Sequence, residues 1–191
     1  MRRCSNKHGE GQEWTQPILQ SVDRIDRYIE QLLEYARSDP SRIASVNPAD
    51  ILHKTLAAGN AALSSSKISL EFEDLRATSG QISADPAVLE HVFTSIINNA
   101  VEAMKSNGIL QISVYEKGAD NVVVRFSDSG PGIPKSQIKK ILVGNVTTKD
   151  RGFGLGLAMA RNAVERWGGA LSFDSEVGRG TTVSLTLRKP Q

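Results

Sequence analysis

Hydrophobic residues recur along this chain with two periods, and the places where one period gives way to the other mark its elements. Ile18, Val22, Ile25, Ile29, Leu32 and Ala36 alternate steps of four and three, a heptad seam that predicts a long helix over 17–37. Pro17 at the first turn and Ser38-Asp39-Pro40 after the last one bound it. A seam this narrow cannot bury itself, so self-association into a coiled coil or bundle is expected of it, the alternative being that it packs on the chain's own domain. Ahead of it, residues 1–13 are polar, carry Gly9 and Gly11 and show no period; they read as a disordered tail or the trace of a truncation. The expected organisation is a tail at 1–13, a partial dimerisation stalk at 14–40 and a folded domain at 41–191.

Within 41–191 the two periods interleave. A strand is expected at Ile43–Val46, then a helix capped by Asn47, opened by Pro48 and carrying Ile51, Leu52, Leu56 and Ala57. Ile68–Phe72 alternates as a strand, and a shorter one surrounds Ile82. Asp85 and Pro86 start a long helix through Met104. Ile109–Tyr115 and Val122–Phe126 predict a hairpin that turns over Glu116–Asn121. A lid-like stretch at 130–152 precedes a helix over 155–167, marked by Leu157, Ala160, Ala163, Val164 and Trp167. Two final strands, Ala170–Asp174 and Thr181–Leu187, meet at a turn holding Gly178 and Gly180. The class this predicts is α+β: a two-layer α/β sandwich with helices on one face of the sheet, preceded by a long coiled-coil-like helix.

Composition narrows the partners. Of 191 residues 39% are hydrophobic and 23% charged, which reads as globular and not disordered. A net charge of +2 gives no case for nucleic acid. The one cysteine, Cys4, excludes an internal disulfide and suits a reducing cytosol, so a cytoplasmic location is expected. No apolar run approaches the roughly 20 residues that span a bilayer, and the N-terminus lacks a signal-peptide pattern. No membrane contact by this fragment is expected, although a longer parent protein could be anchored.

Three stretches carry candidate chemistry. In Lys149-Asp150-Arg151-Gly152-Phe153-Gly154-Leu155-Gly156, alternate glycines let a bulky ligand approach the backbone at the mouth of a helix. Unpaired N–H groups and the positive dipole end suit a polyphosphate there, and Lys149 adds a charge. A flexible loop capped by a helix would have the same residues. On the long helix, His91, Ser95, Asn98, Asn99 and Glu102 converge on the face opposite the apolar one. Adjacent asparagines are poor helix formers, and a side-chain carbonyl is a neutral oxygen ligand for Mg²⁺. An ordinary solvated face would read alike. Asp128-Ser129-Gly130-Pro131-Gly132-Ile133-Pro134 follows a strand, where a carboxylate can accept from an exocyclic amine such as that of adenine. A plain turn also uses these residues.

Taken together, Asn99, Asp128-x-Gly130-x-Gly132 and Gly152-x-Gly154-x-Gly156 resemble, in order and approximate spacing, the N, G1 and G2 boxes of sensor histidine kinase catalytic domains. Those domains belong to the wider family shared by gyrase, the chaperone Hsp90 and the mismatch-repair ATPases. Asn99-Ala100-Val101-Glu102-Ala103-Met104 and Thr147-Thr148-Lys149 are most similar to the nitrogen-regulation type, and Gly178-Arg179-Gly180-Thr181-Thr182 to the final glycine box. The resemblance covers about residues 42–188, and helix 17–37 resembles the second helix of a dimerisation and phosphotransfer domain. It implies the Bergerat-type fold with a mixed sheet, ATP and Mg²⁺ as cofactors, ATP/ADP as ligands, a homodimer through 17–37 and a response regulator as partner. It further implies that Asn99 holds Mg²⁺, that Asp128 binds the adenine amine, and that Gly154, Leu155 and Gly156 present amides to the β and γ phosphates. Lys149 would meet the γ-phosphate, with Ser95, Asn99 and Lys149 forming the catalytic set. Glu102, Gly130, Gly132, Ile133, Thr148, Gly152 and Thr181 complete the implied nucleotide site.

The chain departs from the pattern in three places. Ser95 stands where the first N-box asparagine is usual, and where gyrase-type ATPases carry a glutamate base, which argues against efficient hydrolysis. Ile141-Leu142-Val143-Gly144-Asn145-Val146 replaces the phenylalanine-rich box of the lid. The phosphoacceptor motif is absent: His8 is followed by Gly9-Glu10-Gly11, His53 lies among apolar helix residues, and His91 occupies a place where glutamine or histidine is usual. The expected function is γ-phosphoryl transfer from Mg-ATP to a histidine not present in this chain, either on a preceding helix or on another molecule. The alternative is a nucleotide-binding regulatory module without phosphotransfer.

Overall fold

Alternation of inward and outward side chains makes the sheet, and runs of helical period make the layer that covers it. The structure, a computed structural model, describes residues 40–58, 63, 66–74, 80–105, 107–138 and 155–190. The tail at 1–13 and the heptad helix over 17–37 lie outside these residues. A 3₁₀ turn at Pro40–Arg42 leads into β1 (Ala44–Val46) and α1 (Pro48–Ala57). The chain continues through β2 (Lys67–Asp74), β3 (Ile82–Ala84) and α2 (Pro86–Ala103). The hairpin β4 (Asn107–Lys117) and β5 (Asn121–Asp128) follows, then α3 (Leu155–Arg166) and the closing hairpin β6 (Ala170–Glu176) and β7 (Gly180–Arg188).

The main sheet is mixed and five-stranded, ordered β2-β4-β5-β7-β6, with β2 and β4 parallel and every other pair antiparallel. Its inner face carries Leu110, Ile112 and Val114 from β4, Val122, Val124 and Phe126 from β5, and Val183, Leu185 and Leu187 from β7, all buried. Against them α2 sets Leu89, Val92, Phe93, Ile96 and Ile97, with the Phe93 and Phe126 ring centroids 5.7 Å apart. Beside α2, α3 buries Ala160, Ala163 and Val164; small residues there let the two helices pack directly together. The two-layer α/β fold expected from the pattern is what forms, with the mixed sheet that the resemblance implies.

Local chemistry fixes where these elements begin and turn. Asp85 caps α2: its Oδ1 accepts from Ala87 N at 2.9 Å and Val88 N at 3.4 Å, and Pro86 takes the first turn, where its missing N–H costs nothing. Asn47 caps α1 in the same manner, accepting from Ala49 N at 2.9 Å. The β4–β5 hairpin is longer than expected, because Glu116 and Lys117 pair with Val122 and Asn121 instead of joining the turn. Gly118, at φ 70°, allows so tight a reversal.

Candidate functional site

The site assembles along one stripe of α2. Ser95, Asn99 and Ala103 are spaced four residues apart and share a face, spanning about 12 Å at the helical rise of ~1.5 Å per residue. At one end Gly156, in the first turn of α3, rests against Ser95: a Cβ added to it would stand 2.5 Å from Ser95 Oγ. At the other end Gly130 rests against Ala103, with 3.5 Å from an added Cβ to the alanine's own. Asn99 lies between the two. Its Nδ2 donates to Ser95 O at 2.7 Å, which turns the donor end into the helix and the oxygen end away from it. The segments carrying Asn99, Asp128 and Gly156 therefore meet on one helix.

Asp128 ends β5 with its carboxylate held by the backbone. Oδ1 accepts from Gly130 N at 2.9 Å and Thr181 N at 3.3 Å, whereas no described residue donates to Oδ2. Burial pushes this carboxyl above its ordinary value of 3.8, and the two N–H groups oppose the shift without cancelling it. Gly132, at φ 71°, runs against the Glu176 carbonyl, and Gly180, at φ 100°, against that of Asp128. A side chain at either would collide with backbone, which explains why this stretch needs glycine beyond any turn preference.

Ser175 stitches the two loops together, and nothing in the linear pattern singled it out. Its Oγ accepts from Ile133 N at 2.8 Å and donates to Gly180 O at 2.9 Å, with Thr181 Oγ1 also 2.9 Å away. Gly178 N adds a bond to Pro131 O at 2.7 Å. The one readable signal was a serine at an inward position of β6, where Leu171 and Phe173 precede it. Among the remaining expected residues, Thr181 is buried, Ile133 and Gly132 half-buried, and Glu102 exposed at the end of α2. Thr148, Lys149, Gly152 and Gly154 lie outside the described residues, as does the side chain of Leu155. Of the histidines, His53 packs edge-on against Phe72, centroids 4.5 Å apart.

A cavity of ≈ 470 Å³ adjoins Asp128, Ser175 and Thr181, but Gln111, Ser127 and Thr182 also line it, and these point away from the helices. It opens on the outer face of the sheet and does not include Asn99, so the stripe of α2 is the better candidate. Among the described residues no three or more His, Cys, Asp or Glu side chains gather to hold a metal ion. No helix among them is long and apolar enough to cross a membrane.

Comparison with known proteins is consistent with this geometry. The family described as "Histidine kinase-, DNA gyrase B-, and HSP90-like ATPase" matches residues 84–191. The sensor histidine kinase ZraS of Salmonella typhimurium is 33% identical over 179 residues, which is 94% of this chain and 38% of that protein. The chain thus spans well under half the length of that curated relative. A nucleotide-free catalytic domain of histidine kinase ThkA superposes with a TM-score of 0.69 at 25% identity, covering 77% of this chain and 95% of that domain. ThkA in complex with the response regulator protein TrrA gives a TM-score of 0.76 at 21% identity, over 98% of this chain and 53% of that one.

Proposed function

The chain belongs to the histidine kinase-, DNA gyrase B- and HSP90-like ATPase family, and on that premise we propose that it is the ATP-binding kinase core of a two-component sensor. The observation that carries this reading is the stripe of α2 on which Gly156, Asn99 and the Asp128 loop meet. Bound ATP supplies an activated γ-phosphoryl group, and its acceptor is a histidine outside this chain. Asp128 Oδ2 has the position and chemistry to accept from the exocyclic amine of adenine, with Thr181, Gly130, Gly132 and Ile133 forming the surrounding wall. The amides of Gly154, Leu155 and Gly156 are assigned to the β and γ phosphates and Lys149 to the γ-phosphate, with Gly152 and Thr148 completing the nucleotide site. Asn99 is assigned to Mg²⁺; one neutral oxygen ligand is enough only because Mg²⁺ takes phosphate oxygens and waters for the rest of its shell. Phosphoryl transfer needs positioning and charge neutralisation more than covalent help from the protein, and these residues are suited to that.

The proposal extends to organisation. Residues 14–40 form part of a dimerisation stalk, 41–191 the ATP-binding domain, and the homodimer forms through 17–37. A response regulator receives the phosphoryl group onward. Isothermal titration of the chain with Mg-ADP is expected to show one site, lost in Asp128→Asn and weakened in Asn99→Ala. Incubation with labelled ATP and a separately supplied acceptor-helix domain is expected to label histidine. Binding without label would leave the regulatory module instead, and no binding at all would sink both.

A further inference from the structure

The Ser175 hydroxyl has three polar neighbours and one proton. Ile133 N reaches its Oγ at 2.8 Å, the Gly180 carbonyl lies at 2.9 Å and Thr181 Oγ1 at 2.9 Å. An amide N–H can only donate and a carbonyl can only accept, so the Ser175 proton goes to Gly180 O. The two hydroxyl oxygens still need a proton between them, and only Thr181 has one left to give. Thr181 therefore donates to Ser175 and turns lone pairs everywhere else. Both residues are buried, Ser175 at 7% and Thr181 at 8% exposure, which keeps water from resetting that direction.

That direction bears on Asp128. Thr181 stands directly opposite Asp128 across the β5–β7 ladder, and its N–H donates to Asp128 Oδ1 at 3.3 Å. Directly paired residues send their side chains to the same face, so the Thr181 hydroxyl and the Asp128 carboxylate are neighbours. With the Thr181 proton committed to Ser175, both present acceptors. We propose that Ser175 is a positioning residue: by taking the Thr181 proton it fixes this part of the wall as acceptor-only, and so sets which base edge the site accepts. This rests on the reading of Asp128 as the base contact of a nucleotide site. A base edge bearing an amine is matched by two acceptors, whereas one bearing a carbonyl in that place is opposed by both. Without the Ser175 oxygen, the Thr181 hydroxyl is free to turn its proton towards the base and receive a carbonyl. Ser175 itself touches no nucleotide; its effect passes through Thr181.

The test is titration of the whole chain with Mg-ADP and with the magnesium salt of inosine diphosphate, whose base carries a carbonyl where adenine carries the amine. The unmodified chain is expected to prefer ADP by about tenfold or more. Ser175→Ala is expected to weaken ADP binding and to narrow that preference by about threefold or more. In the Thr181→Val background, which has no hydroxyl to turn, the same change is expected to leave the preference as it was. A residue that merely braces the two loops would cost both nucleotides equally. That result, or a narrowing that persists in Thr181→Val, would overturn the role, as would an unmodified chain that binds both nucleotides alike. Should Ser175→Ala not give folded protein by circular dichroism, Ser175→Cys takes its place, since a thiol is a weak donor and a weak acceptor. A narrowed preference then supports the role, and an unchanged one overturns it. Failure of the unmodified chain to bind either nucleotide would instead overturn the nucleotide reading.

Discussion

Asp128 has two demands on it that conflict. To receive an amine its carboxylate must be ionised, yet its burial favours the protonated form. A folded-state value above the ordinary one means that the fold holds this proton more tightly than the unfolded chain does. Its contribution to stability is therefore fully present below 3.8 and is lost as pH rises through the elevated value. At neutral pH the charged carboxylate is a burden on the ligand-free fold. Asp128→Asn keeps an oxygen for Gly130 N and Thr181 N and removes the charge. Its melting temperature without ligand, relative to the unmodified chain, is expected to rise as pH increases from about 3.8. Its ADP affinity is expected to be low at every pH, while that of the unmodified chain falls on acidification. A variant that is less stable at neutral pH would remove this account.

At the scale of elements, the segment entering the domain is tied to the start of α2. β1 pairs with β3 antiparallel, Ala44 opposite Ala84, and β3 runs directly into the α2 cap at Asp85. The Asp85 side chain is buried; while Oδ1 caps the helix, Oδ2 faces Arg42 Nε at 3.5 Å. Arg42 is half exposed, so this ion pair adds little, and the cap is the larger contribution. Asp85→Ala is expected to lower unfolding stability by about 1 kcal/mol, within a range of roughly 0.5–2, measured by urea denaturation. An unchanged midpoint would mean that the packing of α2 alone holds its first turn. Both caps and both hairpins were legible in the chain, because a cap and an alternation are properties of neighbouring residues. The β2–β4 parallel pairing was not, since the whole of β3 and α2 separates the partners.

Over the whole molecule, a helical layer covers one face of the sheet and leaves the other polar, as shown by the Ser127–Thr182 bond at 2.9 Å and the Gln111–Glu71 bond at 2.6 Å. The stripe proposed for nucleotide lies where α2 meets the Asp128 end of β5, which the Gly180 end of β7 adjoins. The heptad seam over 17–37 lies outside the described residues, and its proposed role is tested in solution. Sedimentation equilibrium of the full chain is expected to show a dimer that dissociates on dilution. A monomer at every concentration would overturn the proposed stalk interface.

Periodicity and capping residues are written in contiguous stretches, so the helices and strands among the described residues and the two-layer fold could be read from the chain alone. Contacts between remote stretches could not: Ser175 bridging Ile133 to Gly180, Gly132 against Glu176, and Gly156 against Ser95. Linear spacing carries the period of an element but not its depth against a neighbour. Depth is decided by packing, where one atom more or less at a helix crossing changes what fits, and only the folded chain brings those atoms together.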